Sequence, residues 1–277
     1  MPHLEVYAMY PKMYADQPRA SRIRRRLAVT GCTTVLAAVP LCSSIAPASA
    51  QDGIEDLSAQ EITDRARDAF MSAQSVRATA ASKGTDVGRG DPTAADLTLD
   101  RDGNCTGSMQ FKDAGGLVIV KRGDRIWLKA DDQFWKTQLP GSQGESAAEL
   151  FRNRYMRGST NDRLLAELAT VCDLKEIQQK AAEESREVEG LRKGQPTTVD
   201  GTPTIPVTGT KDGETHTVYV ATEGRPYPAM STKKGDGKDV TATFKDYNKP
   251  VPAETPSAED SVDISKLYEE SPSPSPS

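Results

Sequence analysis

The stretch over residues 187–247 constrains the fold most, because turn pairs punctuate it at nearly even intervals: Asp200-Gly201, Asp212-Gly213, Glu223-Gly224 and Asp236-Gly237. Between them lie Thr204-Ile205-Pro206-Val207, Thr217-Val218-Tyr219-Val220, Met230-Ser231-Thr232 and Val240-Thr241-Ala242-Thr243-Phe244. Asp-Gly is a strong hairpin signal because both residues accept the positive φ of tight hairpin turns. Strands this short and this tightly joined pair antiparallel, since a parallel pair needs a crossover of about a dozen residues. The segment reads as an antiparallel meander.

The two ends have a different character. Arg22-Ile23-Arg24-Arg25-Arg26, an apolar run over residues 27–45 and the small residues Ala48-Ser49-Ala50 form the three parts of a secretory signal, with cleavage expected after Ala50. The arginine pairs leave a twin-arginine route open. Residues 1–20 do not resemble a signal n-region, and Met13 is an alternative start. A retained membrane anchor is the competing reading, opposed by Pro40 and Pro47 within the segment. Lipid anchoring needs a cysteine directly after the apolar run; Cys32 stands too early and Cys42 follows the large Leu41. The chain therefore reads as exported, extracellular or cell-envelope associated, with soluble secretion favoured and a lipid anchor kept as the minority reading. Residues 269–277 form a Ser-Pro tail that has nothing to bury and is expected to be disordered. A single domain over residues 51–268 remains, large enough for its own core.

Charge removes one class of function. Loss of residues 1–50 would take the net charge from −5 to −9. Nucleic-acid binding requires concentrated positive potential, and no basic stripe is visible. The same cut leaves two cysteines, Cys105 and Cys172. In an exported chain such a pair reads as a disulfide, with two buried free thiols as the alternative.

Ser58-Ala59-Gln60-Glu61 is a capping box, and Ile62, Ala66, Ala69, Phe70, Ala73 and Val76 recur behind it at helical spacing. The period then changes. Leu97 and Leu99 alternate with polar residues, Asp102-Gly103-Asn104 turns the chain, and residues 105–111 return it. Gly115-Gly116 leads into residues 117–120, Arg122-Gly123-Asp124 into Ile126-Trp127-Leu128-Lys129, and Asp131-Asp132 into a further strand at Phe134-Trp135-Lys136. Arg-Gly-Asp can be an adhesion motif, but here it reads as a hairpin turn. Residues 145–157 and 162–179 read as helices, with Leu150, Phe151, Tyr155, Leu164, Leu165, Leu168 and Val171 on their apolar faces. The order of helix, strands, helices, strands predicts α+β with an antiparallel sheet. About eleven strands in one sheet must curl strongly. A curled sheet has a concave face that helices with small apolar residues can cover without filling, although an ordinary filled core would use the same composition.

Catalytic equipment is sparse. His216 is the one imidazole left after the cut, the chain lacks the Cys and His set of a metal site, and neither a phosphate loop nor a Gly-x-Ser-x-Gly elbow is present. Ser231-Thr232-Lys233-Lys234 matches Ser-x-x-Lys, but it lies in a meander strand and its companion motifs are missing. The chain reads as a non-enzyme with no cofactor.

Leu57-Ser58-Ala59-Gln60-Glu61-Ile62, Asp102-Gly103-Asn104-Cys105-Thr106-Gly107 and Ile126-Trp127-Leu128-Lys129 before Phe134-Trp135 share their order with a known family. Residues 218–228, Phe244-Lys245-Asp246-Tyr247, Pro250 and Val251 continue it. In this order the chain resembles the LppX/LprG-type lipid-carrier lipoproteins of actinobacteria, within the wider LolA and LolB superfamily. The resemblance implies a half-open β-barrel with helices over its hollow, holding acyl chains of a lipid or lipoprotein. The missing lipobox departs from that family, which has no catalytic set to transfer.

The expectation is an exported carrier that binds a lipid or acylated molecule as a monomer, with a membrane surface as a further partner. Candidate lining residues are Phe70 from the covering helix and Leu97, Leu99, Met109, Phe111, Leu128, Val218 and Val220 from the strands. A one-residue error in strand parity would turn several of them outward. The alternatives are an envelope interaction or scaffold protein with a filled hollow, and a hydrolase built around His216.

Overall fold

The computed structural model describes residues 53–265, apart from residues 140 and 236. The signal segment, Met13, Leu267 and the Ser-Pro tail lie outside the described residues. Helix α1 (Ala59–Ser72) is followed by β1 (Ser75–Gly84), β2 (Pro92–Asp100), β3 (Cys105–Phe111), β4 (Gly115–Arg122) and β5 (Arg125–Ala130). Helices α2 (Asp132–Gln138) and α3 (Ser142–Leu150), strand β6 (Tyr155–Ser159), and helices α4 (Arg163–Ala169) and α5 (Leu174–Glu187) form the middle. The meander comprises β7 (Glu189–Lys193), β8 (Thr197–Val199), β9 (Thr202–Lys211), β10 (Glu214–Ala221), β11 (Pro228–Gly235) and β12 (Lys238–Lys245), and β13 (Ser261–Asp263) comes last.

All thirteen strands share one curved, unclosed sheet in the order β13-β6-β5-β4-β3-β2-β1-β12-β11-β10-β9-β7, with β8 paired to β9. The first strand thus sits at the centre, joining the β2–β6 half to the β9–β12 half. The turns follow the sequence reading: Asp200 and Gly201 (φ 46° and 82°) and Asp212 and Gly213 (φ 51° and 83°) both adopt the positive φ of two-residue hairpins. The Arg122-Gly123-Asp124 triplet spans the β4–β5 turn. The Ser58 and Glu61 capping box is formed.

Four expectations need correction. Val76 belongs to β1 rather than to the helical stripe, because Ala73 ends α1 with extended backbone. Phe134-Trp135-Lys136 is helical, not a strand: the Asp131 carboxylate accepts from Phe134 N and caps α2. The helix expected over residues 145–157 ends at Leu150, and Tyr155 opens β6. The helix expected over 162–179 breaks at Cys172, and α5 starts afresh on an Asp173 cap.

Strand β13 pairs parallel to β6, the exception to the antiparallel pairing. The chain reaches it as a strap across the outer face. Asn248 N donates to Ser75 O at 3.0 Å, Arg122 Nη2 donates to Pro252 O, and Tyr155 N donates to Asp260 O at 2.7 Å. Trp127 and Val120 point to this outer side, yet are only 5% and 7% exposed. The Arg157–Asp263 ion pair (2.5 Å) closes the strap on β6.

Candidate functional site

Strand register defines the concave face as rows of side chains. One row runs Ala130, Leu117, Met109, Ala95, Ala80, Ala242, Ser231, Val218 and Val207 across β5, β4, β3, β2, β1, β12, β11, β10 and β9. Large residues occupy the β3–β4 side of this row, small ones its centre. Leu128, Ile119, Gly107, Leu97, Ala78 and Phe244 form a parallel row. Gly107 is required there, since a Cβ would stand 2.0 Å from Asp96 O where β2 and β3 approach.

The β2–β6 half is filled from above. Helices α2 and α3 deliver a chain of rings, Phe111 to Phe134 (5.7 Å), Phe134 to Trp135 (5.5 Å) and Trp135 to Phe151 (5.2 Å). Leu165 and Leu168 of α4 and Leu174 of α5 complete this core. The Cys105–Cys172 disulfide, Cα–Cα 5.4 Å, ties β3 to the turn between α4 and α5. The other half is covered by α1, whose Ile62 and Ala66 pack on Ile205, Val207 and Val220. Phe70 closes its inner end against Phe244 (5.6 Å) and Tyr247 (6.5 Å). Helix α5 is pinned to α1 by one buried side chain: Gln178 Nε2 donates to Phe70 O (2.7 Å) and Ala73 O (2.9 Å).

Between these two cores the central row stays half-exposed. Ala78, Ala80, Ala242 and Ser231 are neither buried nor fully open, although they lie mid-sheet. A trough of small side chains results. All eight candidate lining residues lie on the concave side. Leu97, Leu99, Met109 and Leu128 are buried within the filled half, and Phe111 packs at its edge. Phe70 and Val220 are buried beneath and beside α1, and Val218 is half-buried in the central row. The small residues that form the trough, Ala78, Ala80, Ala242 and Ser231, were not among the candidates. Their alternation with Thr79, Thr241 and Thr243 was the available signal.

The trough ends in polar side chains. The following row is Ser82, Val240, Lys233, His216 and Gly209. Lys233 Nζ pairs with Glu214 at 2.6 Å, and Lys211 Nζ pairs with Glu187 at 2.6 Å. The Glu187 bond raises the Lys211 pKa. His216 has Glu184 and Glu214 each at 3.8 Å, too far for hydrogen bonds, and its Nε2 is buried without a partner. Burial lowers its pKa, opposed by Glu184. Ser231 and Lys234 lie three apart in β11 and face opposite sides, so the Ser-x-x-Lys match brings no amine to the hydroxyl. Among the described residues no group of three His, Cys, Asp or Glu could hold a metal ion.

No protein-family model matches the chain, and no curated protein matches it. Among solved structures, LprF from Mycobacterium bovis superposes with a TM-score of 0.52 at 14% identity, covering 72% of this chain and 97% of LprF. The Mycobacterium tuberculosis lipoprotein LppX gives a TM-score of 0.46 at 18% identity, covering 71% of this chain and 98% of LppX. The chain thus shares the fold of LprF. In that fold the trough of this chain occupies the concave side of the half-barrel, between α1–α5 and the aromatic core under α2–α3.

Proposed function

We propose that the protein is an exported, non-enzymatic carrier of the cell envelope that sequesters an acyl chain of a lipid or acylated molecule on its concave face. The observation that supports this reading is the run Ala80, Ala242 and Ser231, small side chains on three adjacent strands near mid-sheet that stay half-exposed. Each ligand CH₂ buried there would gain about 0.8 kcal/mol, so one acyl chain suffices for useful affinity. The test is native mass spectrometry of the mature protein from its own or a related host, followed by solvent extraction. A discrete added mass that extracts as an acylated lipid is expected. A clean apo mass with no uptake of a fluorescent fatty acid would refute the reading. A second reading, an envelope interaction protein, draws support from the aromatic filling of the other half by Phe134, Trp135 and Phe151, and would lead in that event.

A further inference from the structure

Where α1 meets the loop between β10 and β11, the surface opens into a hollow of about 450 Å³ lined by Arg65, Asp68, Ala69, Arg225 and Pro226. Two arginines share this lining with an aspartate, an alanine and a proline. The one carboxylate in the lining, Asp68, lies 3.9 Å from Arg67 Nε. Among the described residues no carboxylate pairs within 4 Å with Arg65 or Arg225. Arg225 instead lies over the Tyr227 ring, 5.6 Å from its centre.

A run of packed rings lies behind the hollow. Tyr227 stacks on Tyr247 at 4.0 Å, Tyr247 meets Phe70 edge-on at 6.5 Å, and Phe70 meets Phe244 at 5.6 Å. Phe244 is paired across the sheet with Ala78 on the trough floor. A continuous chain of ring contacts therefore links Arg225 at the rim to the small residues of the concave face. Tyr247 is held in place by its hydroxyl, which donates to Pro228 O at 2.7 Å, and burial keeps the phenol neutral by raising its pKa well above the usual value.

We propose that Arg65 and Arg225 form an anion subsite at the entrance to the trough, taking the phosphate or carboxylate headgroup of an amphiphile whose chain lies along this run of rings. Guanidinium groups suit this role because their planar forks donate paired hydrogen bonds to such oxyanions. Ala69 and Pro226 in the same lining offer apolar contact to the first carbons of the chain. The headgroup assignment rests on the carrier reading above, but the anion subsite itself does not.

Calorimetric titration of the mature chain with monododecyl phosphate, dodecanol and inorganic phosphate separates the two. The expected result is that monododecyl phosphate binds at least about tenfold more tightly than dodecanol. The Arg65→Gln/Arg225→Gln double variant should lose that preference and keep its dodecanol affinity; both side chains are exposed, and an unchanged melting temperature confirms an intact fold. Inorganic phosphate that binds as tightly as monododecyl phosphate, and is lost in the double variant, supports the subsite with a free anion as its source. Arginine-dependent phosphate binding with no uptake of either dodecyl compound supports the subsite and removes the carrier reading. Equal affinity for the two dodecyl compounds, a phosphate preference that survives in the double variant, or no binding of any probe overturns the proposal.

Discussion

Replacement of Gln178 by leucine tests how the helical cover is held. Gln178 is fully buried, and its amide joins the last turn of α1 to α5 through bonds to Phe70 O and Ala73 O of 2.7 and 2.9 Å. Leucine fills similar space and donates nothing. Two neutral hydrogen bonds are lost at about 1 kcal/mol each, and a buried carbonyl left without its donor costs about 1 kcal/mol more. The loss is borne chiefly by Ala73 O, because Phe70 O still accepts from Ala73 N at 3.1 Å. Against it stands Gln178 Oε1, itself buried without a partner, whose removal returns about 1 kcal/mol. The net expectation is a destabilisation of about 2 kcal/mol, measured by urea unfolding with the slope unchanged. Faster hydrogen exchange at the α1 C-terminus should accompany it. Gln178→Glu adds a pH signature: facing two carbonyl oxygens in a buried site, the acid's folded pKa lies above its unfolded value near 4.3. Its stability should be greatest below the unfolded pKa and fall as pH rises through the folded one. A Gln178→Leu protein as stable as the parent, with α1 exchange unchanged, would refute the reasoning.

Other expectations follow from the same structure. Cys105→Ala/Cys172→Ala opens a loop with a sequence separation of 67 and should cost about 4 kcal/mol in the chain-entropy model, read as a lower urea midpoint. Asp263 is held at a pKa of about 2 by the Ser265 side chain and by Arg157. Because that pKa is depressed, its stabilisation is present above the unfolded value near 3.9 and is lost as pH falls through about 2. Exchange of the β13 amides should therefore rise over that window, and Asp263→Asn should remove the pH dependence. Ala80→Phe fills the centre of the trough and should abolish fluorescent fatty-acid uptake while leaving the fold's circular dichroism intact; undiminished uptake would place the chain elsewhere.

The β-part of the fold was legible where a local signal forced the backbone. Asp200-Gly201 and Asp212-Gly213 set their hairpins by residue type alone, and the alternation of Leu97 and Leu99 placed both on the inner face, as found. The misreadings came where a local preference met a competing cue. Phe134 and Trp135 have strand propensity, yet the Asp131 cap decided for helix. Asp173 carried the same kind of cap and marked the start of α5, but the surrounding apolar spacing ran through it. Strand β13 has three residues and no periodicity to detect. The site was half-legible for a different reason. Inward parity is local, but whether Met109 or Ala80 ends up under a ring depends on where α2 and α3 land, which no short stretch encodes.

The central position of β1 bears on how the chain assembles as it is made. Its partner β12 lies so late that the cross-strand pair Thr79 and Thr243 is 164 residues apart. The β1–β5 hairpins are local and can form early, but β1 then presents a bare edge until almost the whole described chain has followed. The β9–β12 hairpins form later with a bare edge of their own at β12. Joining two preformed half-sheets through so long a loop is a late, slow closure, with the entropy of bringing the ends together spent before the central pairing stabilises anything. During that interval each free edge can recruit the wrong partner, including the same edge of a neighbouring chain. Crowded refolding should therefore yield dimers joined through β1 or β12, and dilution should suppress them.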